Sequence, residues 1–104
     1  MTESSETFDG SANWETHAFQ VCWTNDYDVR ALLLNAAQEA LTEDYDLSDF
    51  DLGQAVIRRA QAITSEHNSL RLMATADIVG HWERIDSAEV GEETRDLLST
   101  EGML

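Results

Sequence analysis

The sequence predicts an all-α domain, a small bundle of about five helices, and three observations carry that expectation. Apolar residues recur at three and four residues through most of the chain after Asn13, which puts them on one face of a helix. Asn, Asp or Ser precedes several of these segments where a helix cap is needed. No run alternates apolar and polar residues convincingly enough to read as a strand. The chain of 104 residues supports one core and leaves no room for a second.

Residues 1–12 (MTESSETFDGSA) are polar and without period, and read as a flexible acidic tail ahead of a single helical domain over 13–104. From Asn13 a helix is expected, with Asn13 as its N-cap and Glu15 and Thr16 in its first turn. Ala18, Phe19, Cys22 and Trp23 then share a face. Phe19, Val21 and Trp23 also alternate, so a short strand competes here, and the helix is favoured. Asn25 and Asp26 form a turn and cap. The clearest amphipathic helix follows, carrying Val29, Leu32, Leu33, Ala36, Ala37, Ala40 and Leu41 inward and stopping at Glu43 to Asp46. Ser48 and Asp51 resemble a capping box for the next helix, which turns Leu52, Val56, Ala60 and Ile63 inward and Arg58 and Arg59 outward. A polar break at Ser65 to Ser69 precedes a fourth helical face through Leu70, Met73, Ala74, Asp77 and Ile78. A last helix starts at Asp86 or Ser87, with Ile85 and Val90 able to form a hydrophobic staple. It buries Val90, Leu97 and Leu98, and Gly102 follows its end.

Charge narrows the function. There are 21 acidic and 6 basic side chains, for a formal net charge of −15. Every cation is an arginine, and lysine and proline are absent. Such a surface repels phosphate backbones, so direct nucleic-acid binding by counterion release is not expected. Anionic membrane surfaces are poor partners for the same reason. The longest apolar run, Ala31 to Leu34, is far too short to span a bilayer, and no basic-then-apolar signal segment opens the chain. A soluble, cytoplasmic protein is therefore expected. The acid excess fits adaptation to molar salt best. A surface for a basic partner, or a surface imitating DNA, would also account for it.

Residues capable of chemistry are few. A calcium loop opening at Asp44 would need glycine at its sixth place and glutamate at its twelfth, where Asp49 and Ala55 stand. His17, His67 and His81 include no pair at helical zinc spacing, and no HExxH occurs. Cys22 is the one cysteine and lies in an apolar run, so a buried, inert thiol is expected. There is no Gly-rich phosphate loop, no GxSxG and no CxxC. No catalytic, cofactor-binding or metal-binding residue is assigned, and a non-enzymatic protein is expected. Of the tryptophans, Trp23 is assigned to the core, while Trp14 and Trp82 are open to either core or interface roles.

Asn13-Trp14-Glu15-Thr16-His17, followed by Val21-Cys22-Trp23-Thr24-Asn25-Asp26, resembles the opening of a family of small proteins from bacteriophages, plasmids and haloarchaea. That family typically begins Asn-Tyr-Glu-Thr-Trp, reaches a Trp through a short apolar segment, and opens a helix at Asn-Asp. Its C-terminal part often steps through Val/Ile-Asn/Asp-Trp into a final helix, which Ile85-Asp86-Ser87 matches loosely. The chain departs from the pattern at His17 and Ser87, where tryptophan is usual. The resemblance implies a mobile-element origin and a helical domain, and no reaction.

The expected function is that of an acidic binding protein, an accessory factor of a virus or plasmid in a halophile, acting on a host protein as a DNA-mimic-like surface. A structural or assembly component, such as a homo-oligomeric scaffold, is the alternative. The candidate partner-binding surface is Glu39, Glu43, Asp44, Asp46, Asp49 and Asp51, which fall within thirteen residues that contain no basic side chain. By contrast, the seven acids from Glu83 to Glu101 are interrupted by Arg84 and Arg95.

Overall fold

Asn13 opens the first helix by a cap of the expected kind: its side chain accepts a hydrogen bond from the Thr16 N–H at 2.8 Å. The computed structural model describes residues 13–66 and 82–103. Over these residues the fold is all-helical, with α1 at Trp14–Asn25, α2 at Tyr27–Glu43, α3 at Asp49–Ile63 and α4 at Ser87–Thr100. Single 3-10 turns occupy Thr64–Glu66 and Trp82–Arg84. Four α-helices thus stand among the described residues where about five were expected. The tail at 1–12 and the segment expected from Leu70 lie outside them. Residues 14–25 are helical, so the strand alternative does not hold.

One residue, Asp26, caps both α1 at its C-terminus and α2 at its N-terminus. Its carboxylate accepts from the Asp28 and Val29 N–H groups, each at 3.1 Å. Ser48 caps α3 by accepting from the Asp51 N–H at 3.1 Å, and Asp86 caps α4 by accepting from the Glu89 N–H at 3.1 Å. α4 ends in a Schellman motif, in which Met103 N–H bonds Leu98 O at 2.8 Å and Gly102 N–H bonds Ser99 O at 3.2 Å. Gly102 supplies the required left-handed residue, with φ of 74°.

The core is one cluster drawn from all four helices, with Phe19 and Trp23 of α1, Val29, Leu33 and Ala37 of α2, Leu52, Val56 and Ala60 of α3, and Val90 and Leu98 of α4 all fully buried. Leu34 and Ile57 join it from positions the periodicity did not single out. Several expectations need correction. Cys22 is half-buried against the core rather than within it, and Leu32, Ala36 and Ala40 of α2 and Leu97 of α4 are half-buried as well. Each lies about 100° around the helix from a buried neighbour, which takes the inward position. Trp82 is half-buried and meets Phe19 edge-on, with ring centroids 6.0 Å apart. Trp14 stays 46 % exposed.

The most extensive helix contact is between α3 and α4, and glycine makes it possible. Gly53 of α3 lies against the Ser87 carbonyl, and Gly91 of α4 lies against the Asp49 carbonyl. A methyl on Gly53 would fall 2.6 Å from the Ser87 carbonyl carbon and closer still to its oxygen; one on Gly91 would fall 2.9 Å from Asp49 Cα. The start of each helix therefore touches the second turn of the other backbone to backbone.

Candidate functional site

Asn13, Glu15 and Thr16 of the N-terminal motif fasten α1 to the turn that leads into α4. The Asn13 side-chain amide donates to Arg84 O at 2.7 Å. Glu15 pairs with Arg84 at 3.5 Å. Thr16 is fully buried, and its hydroxyl accepts from the Asp86 N–H at 2.8 Å. Trp23 donates its indole N–H to Gln20 Oε1 at 2.7 Å, which satisfies its polar edge while the ring fills the core. His17 is half-buried, with its ring tilted against Trp14 at 6.0 Å. These contacts are architectural.

The acidic residues occupy the other connection, between α2 and α3. Glu39 and Glu43 stand exposed in the last turns of α2, Asp44 and Asp46 are exposed in the loop, and Asp51 is exposed in the first turn of α3. The loop is held by its own backbone and side chains. Asp44 N–H bonds Ala40 O at 3.0 Å, Leu47 N–H bonds Asp44 O at 3.3 Å, and Asp44 Oδ1 accepts from the Asp46 N–H at 3.1 Å. Asp49 differs from the other five. It is half-buried and accepts from Arg95 Nε of α4 at 2.7 Å, and the same guanidinium donates to Leu47 O. Asp49 thus serves to tie the loop to α4.

No protein-family model, curated protein or solved structure matches this chain.

A shallow groove of about 320 Å³ runs between α2 and α3, lined by Ala40, Glu43, Asp44, Leu47, Asp51, Gln54, Ala55 and Arg58. Its acids come from both helices and the loop. The stretch that is free of arginine in sequence is not free of it in space, because Arg58 enters the groove and Arg95 reaches Asp49 from α4. Two residues unremarked in the sequence stand out beside these acids. Tyr45 is 85 % exposed between Asp44 and Asp46, and Phe50 is 55 % exposed between Asp49 and Asp51. The flanking acids are no signal for this exposure, since adjacent residues on a helix lie about 100° apart and Val29, between Asp28 and Arg30, is fully buried.

Among the described residues, no three of His, Cys, Asp and Glu converge as ligands for a metal ion. His67 and His81 lie outside these residues. No described helix is long and apolar enough to cross a membrane.

Proposed function

We propose that the protein is a non-enzymatic acidic binding protein, an accessory factor of a virus or plasmid in a halophile, which engages a basic host protein through the surface around Glu39–Asp51. It belongs, on this reading, with the small phage, plasmid and haloarchaeal proteins that its Asn13–Asp26 segment resembles. The observation that carries the proposal is the exposure of Tyr45 and Phe50 among Glu43, Asp44, Asp46 and Asp51. Exposed aromatic rings supply the anchoring area of protein interfaces, and the surrounding carboxylates steer a cationic partner toward them. Acids elsewhere serve hydration at high salt. Asp28, Glu66, Glu83, Glu92, Asp96 and Glu101 are exposed and spread over several elements, as a hydration coat requires.

The test neutralises Glu43, Asp44, Asp46 and Asp51 as amides and leaves Asp49 intact, because Asp49 holds Arg95. A second variant neutralises Glu89, Glu92, Glu93 and Asp96. Capture of host proteins is compared at fixed salt. The first variant loses the partner and the second keeps it. Equal small losses from both would reduce all the acids to a hydration coat.

The alternative of self-assembly is favoured by Trp14 and Val21. They lie seven residues apart on α1, two turns along the same side, and each is 46 % exposed. Sedimentation of the parent and of a Trp14→Ser, Val21→Ser variant decides it: a parent oligomer that the variant lacks would establish this interface.

A further inference from the structure

We propose that Arg95 is a latch with two seats, whose release frees the α2–α3 connection as a unit while the rest of the domain stays folded. This goes beyond the reading of the Glu39–Asp51 surface and does not depend on it. Backbone contacts anchor both ends of the connection. On the α2 side Asp44 N–H bonds Ala40 O at 3.0 Å, and on the α3 side the Asp49 carbonyl packs against Gly91 of α4. Between these anchors Tyr45, Asp46 and Ser48 are exposed, and Leu47 is half-buried against the core. The hydrogen bonds within this stretch are local. Asp46 N–H bonds Asp44 Oδ1 at 3.1 Å, Leu47 N–H bonds Asp44 O at 3.3 Å, and Asp51 N–H bonds Ser48 Oγ at 3.1 Å. Among the described residues, Arg95 alone ties the stretch to another element by hydrogen bonds. It reaches over from α4 and donates from Nε to Asp49 Oδ1 at 2.7 Å and from Nη2 to Leu47 O.

This fastening is weak enough to release. The side chains of Arg95 and Asp49 are 32 % and 44 % exposed, so water competes for both partners. Ion pairs this open hold with an energy comparable to thermal energy. A second seat stands one turn back on α4. Glu92 is exposed and three residues from Arg95, the spacing at which side chains on a helix meet. On leaving Asp49 the guanidinium exchanges one carboxylate for another, so release does not strand a charge. Leu47 O and Asp49 then turn to water, and the stretch moves between its two anchored ends. Segments with exposed backbone hydrogen bonds and few buried contacts open locally at low free energy, ahead of global unfolding.

The experiment measures water exchange by NMR in the full chain at the Asp46, Leu47 and Asp51 amides and at the Arg95 Nε–H. Arg95→Ala keeps a good helix former in α4 and removes the latch. Exchange at the three amides then rises about twofold to fivefold, the range set by an exposed ion pair. Exchange at the Phe19 and Val56 amides, within α1 and α3, stays at the parent rate. Glu92→Gln removes the second seat and slows the three amides and the Arg95 Nε–H by up to about twofold. An ion pair that serves only as scaffold does not respond to Glu92. Unchanged exchange at the three amides in Arg95→Ala overturns the latch. A rise that extends to Phe19 and Val56 reports global destabilisation and overturns the local release. Parent rates in Glu92→Gln overturn the second seat, and with it the switch. No partner enters these measurements, so their failure is separate from failure of the partner-binding surface.

Discussion

Replacing Gly91 by alanine sets two physical effects against each other with opposite signs. In an isolated helix the change is favourable by about 0.5–1 kcal/mol, because alanine loses less backbone freedom on folding. Here the new methyl would meet the Asp49 backbone, with Cα at 2.9 Å and the carbonyl nearer. Ordinary carbon–oxygen contact needs about 3.3–3.6 Å, so α3 and α4 must separate by an ångström or more. A gap of about 0.5–1 Å already forfeits a quarter to a half of the dispersion well of each contact across it, which serves as a conservative figure here. Leu52, Val56, Val90 and Leu98 are fully buried on these two helices. Each is worth about 1.5–3 kcal/mol in place, so a quarter to a half of their sum is about 1.5–6 kcal/mol. The steric term wins, with a net loss near 3 kcal/mol and a fall in melting temperature of about 12–24 °C. Gly53→Ala, which meets Ser87 in the same way, should behave alike. The double variant should cost less than the two singles together, since one separation of the helices accommodates both methyls. Thermal melts by circular dichroism, with exposed Glu92→Ala as control, decide the matter. A Gly91→Ala protein that melts at or above the parent temperature would refute the close backbone approach.

Trp23→Ala should lose about 3–5 kcal/mol in chemical denaturation, because the ring is fully buried and its N–H is satisfied within α1. Should that variant fold as stably as the parent yet lose a partner, α1 is an interface. Thr16→Val keeps the shape but leaves the Asp86 N–H without its acceptor. It should cost about 1–3 kcal/mol, while Asn13→Ala should cost about 1–2 kcal/mol by removing a cap and the bond to Arg84. Melting temperature should rise by many degrees between dilute buffer and molar KCl, since at 0.01 M salt the Debye length of about 30 Å lets the acids repel across the whole domain. A flat salt profile would sink the account of the acids as salt adaptation.

The candidate surface was half legible in the sequence. Six acids in thirteen residues are visible as a run, and five of them stand exposed together around the α2–α3 connection. The sixth, Asp49, looks the same in sequence but belongs to the scaffold, because Arg95, 46 residues away, reaches it. A charge run records which residues are acidic. It does not record which cations the fold brings to them. Arg58 lies on the next helix, and whether it enters the groove depends on the crossing of α2 and α3.

Local rules settle the caps and the helix interiors within the described residues. Asn13, Asp26, Ser48 and Asp86 each accept from N–H groups two or three residues ahead, a contact that spacing alone dictates. Val29, Leu33, Ala37 and Leu41 of α2 and Leu52, Val56, Ala60 and Ile63 of α3 turn inward because a period near 3.6 leaves one face to bury. The inward face of α4 escapes this reading. It carries Ser87, Gly91 and Thr94 beside Val90 and Leu98, and three of those five residues are not apolar. Their burial is favourable only because of what stands opposite. Gln54 donates to the Ser87 hydroxyl at 2.6 Å, Thr94 returns its own hydroxyl to Val90 O at 2.7 Å, and Gly91 admits the Asp49 backbone. Thr16 is the same case on α1, a polar residue made a core residue by the Asp86 N–H seventy positions away. Periodicity reports hydrophobicity, which each side chain carries by itself. Hydrogen-bond satisfaction and close backbone approach belong to pairs of residues distant in the chain, so only the tertiary packing decides them.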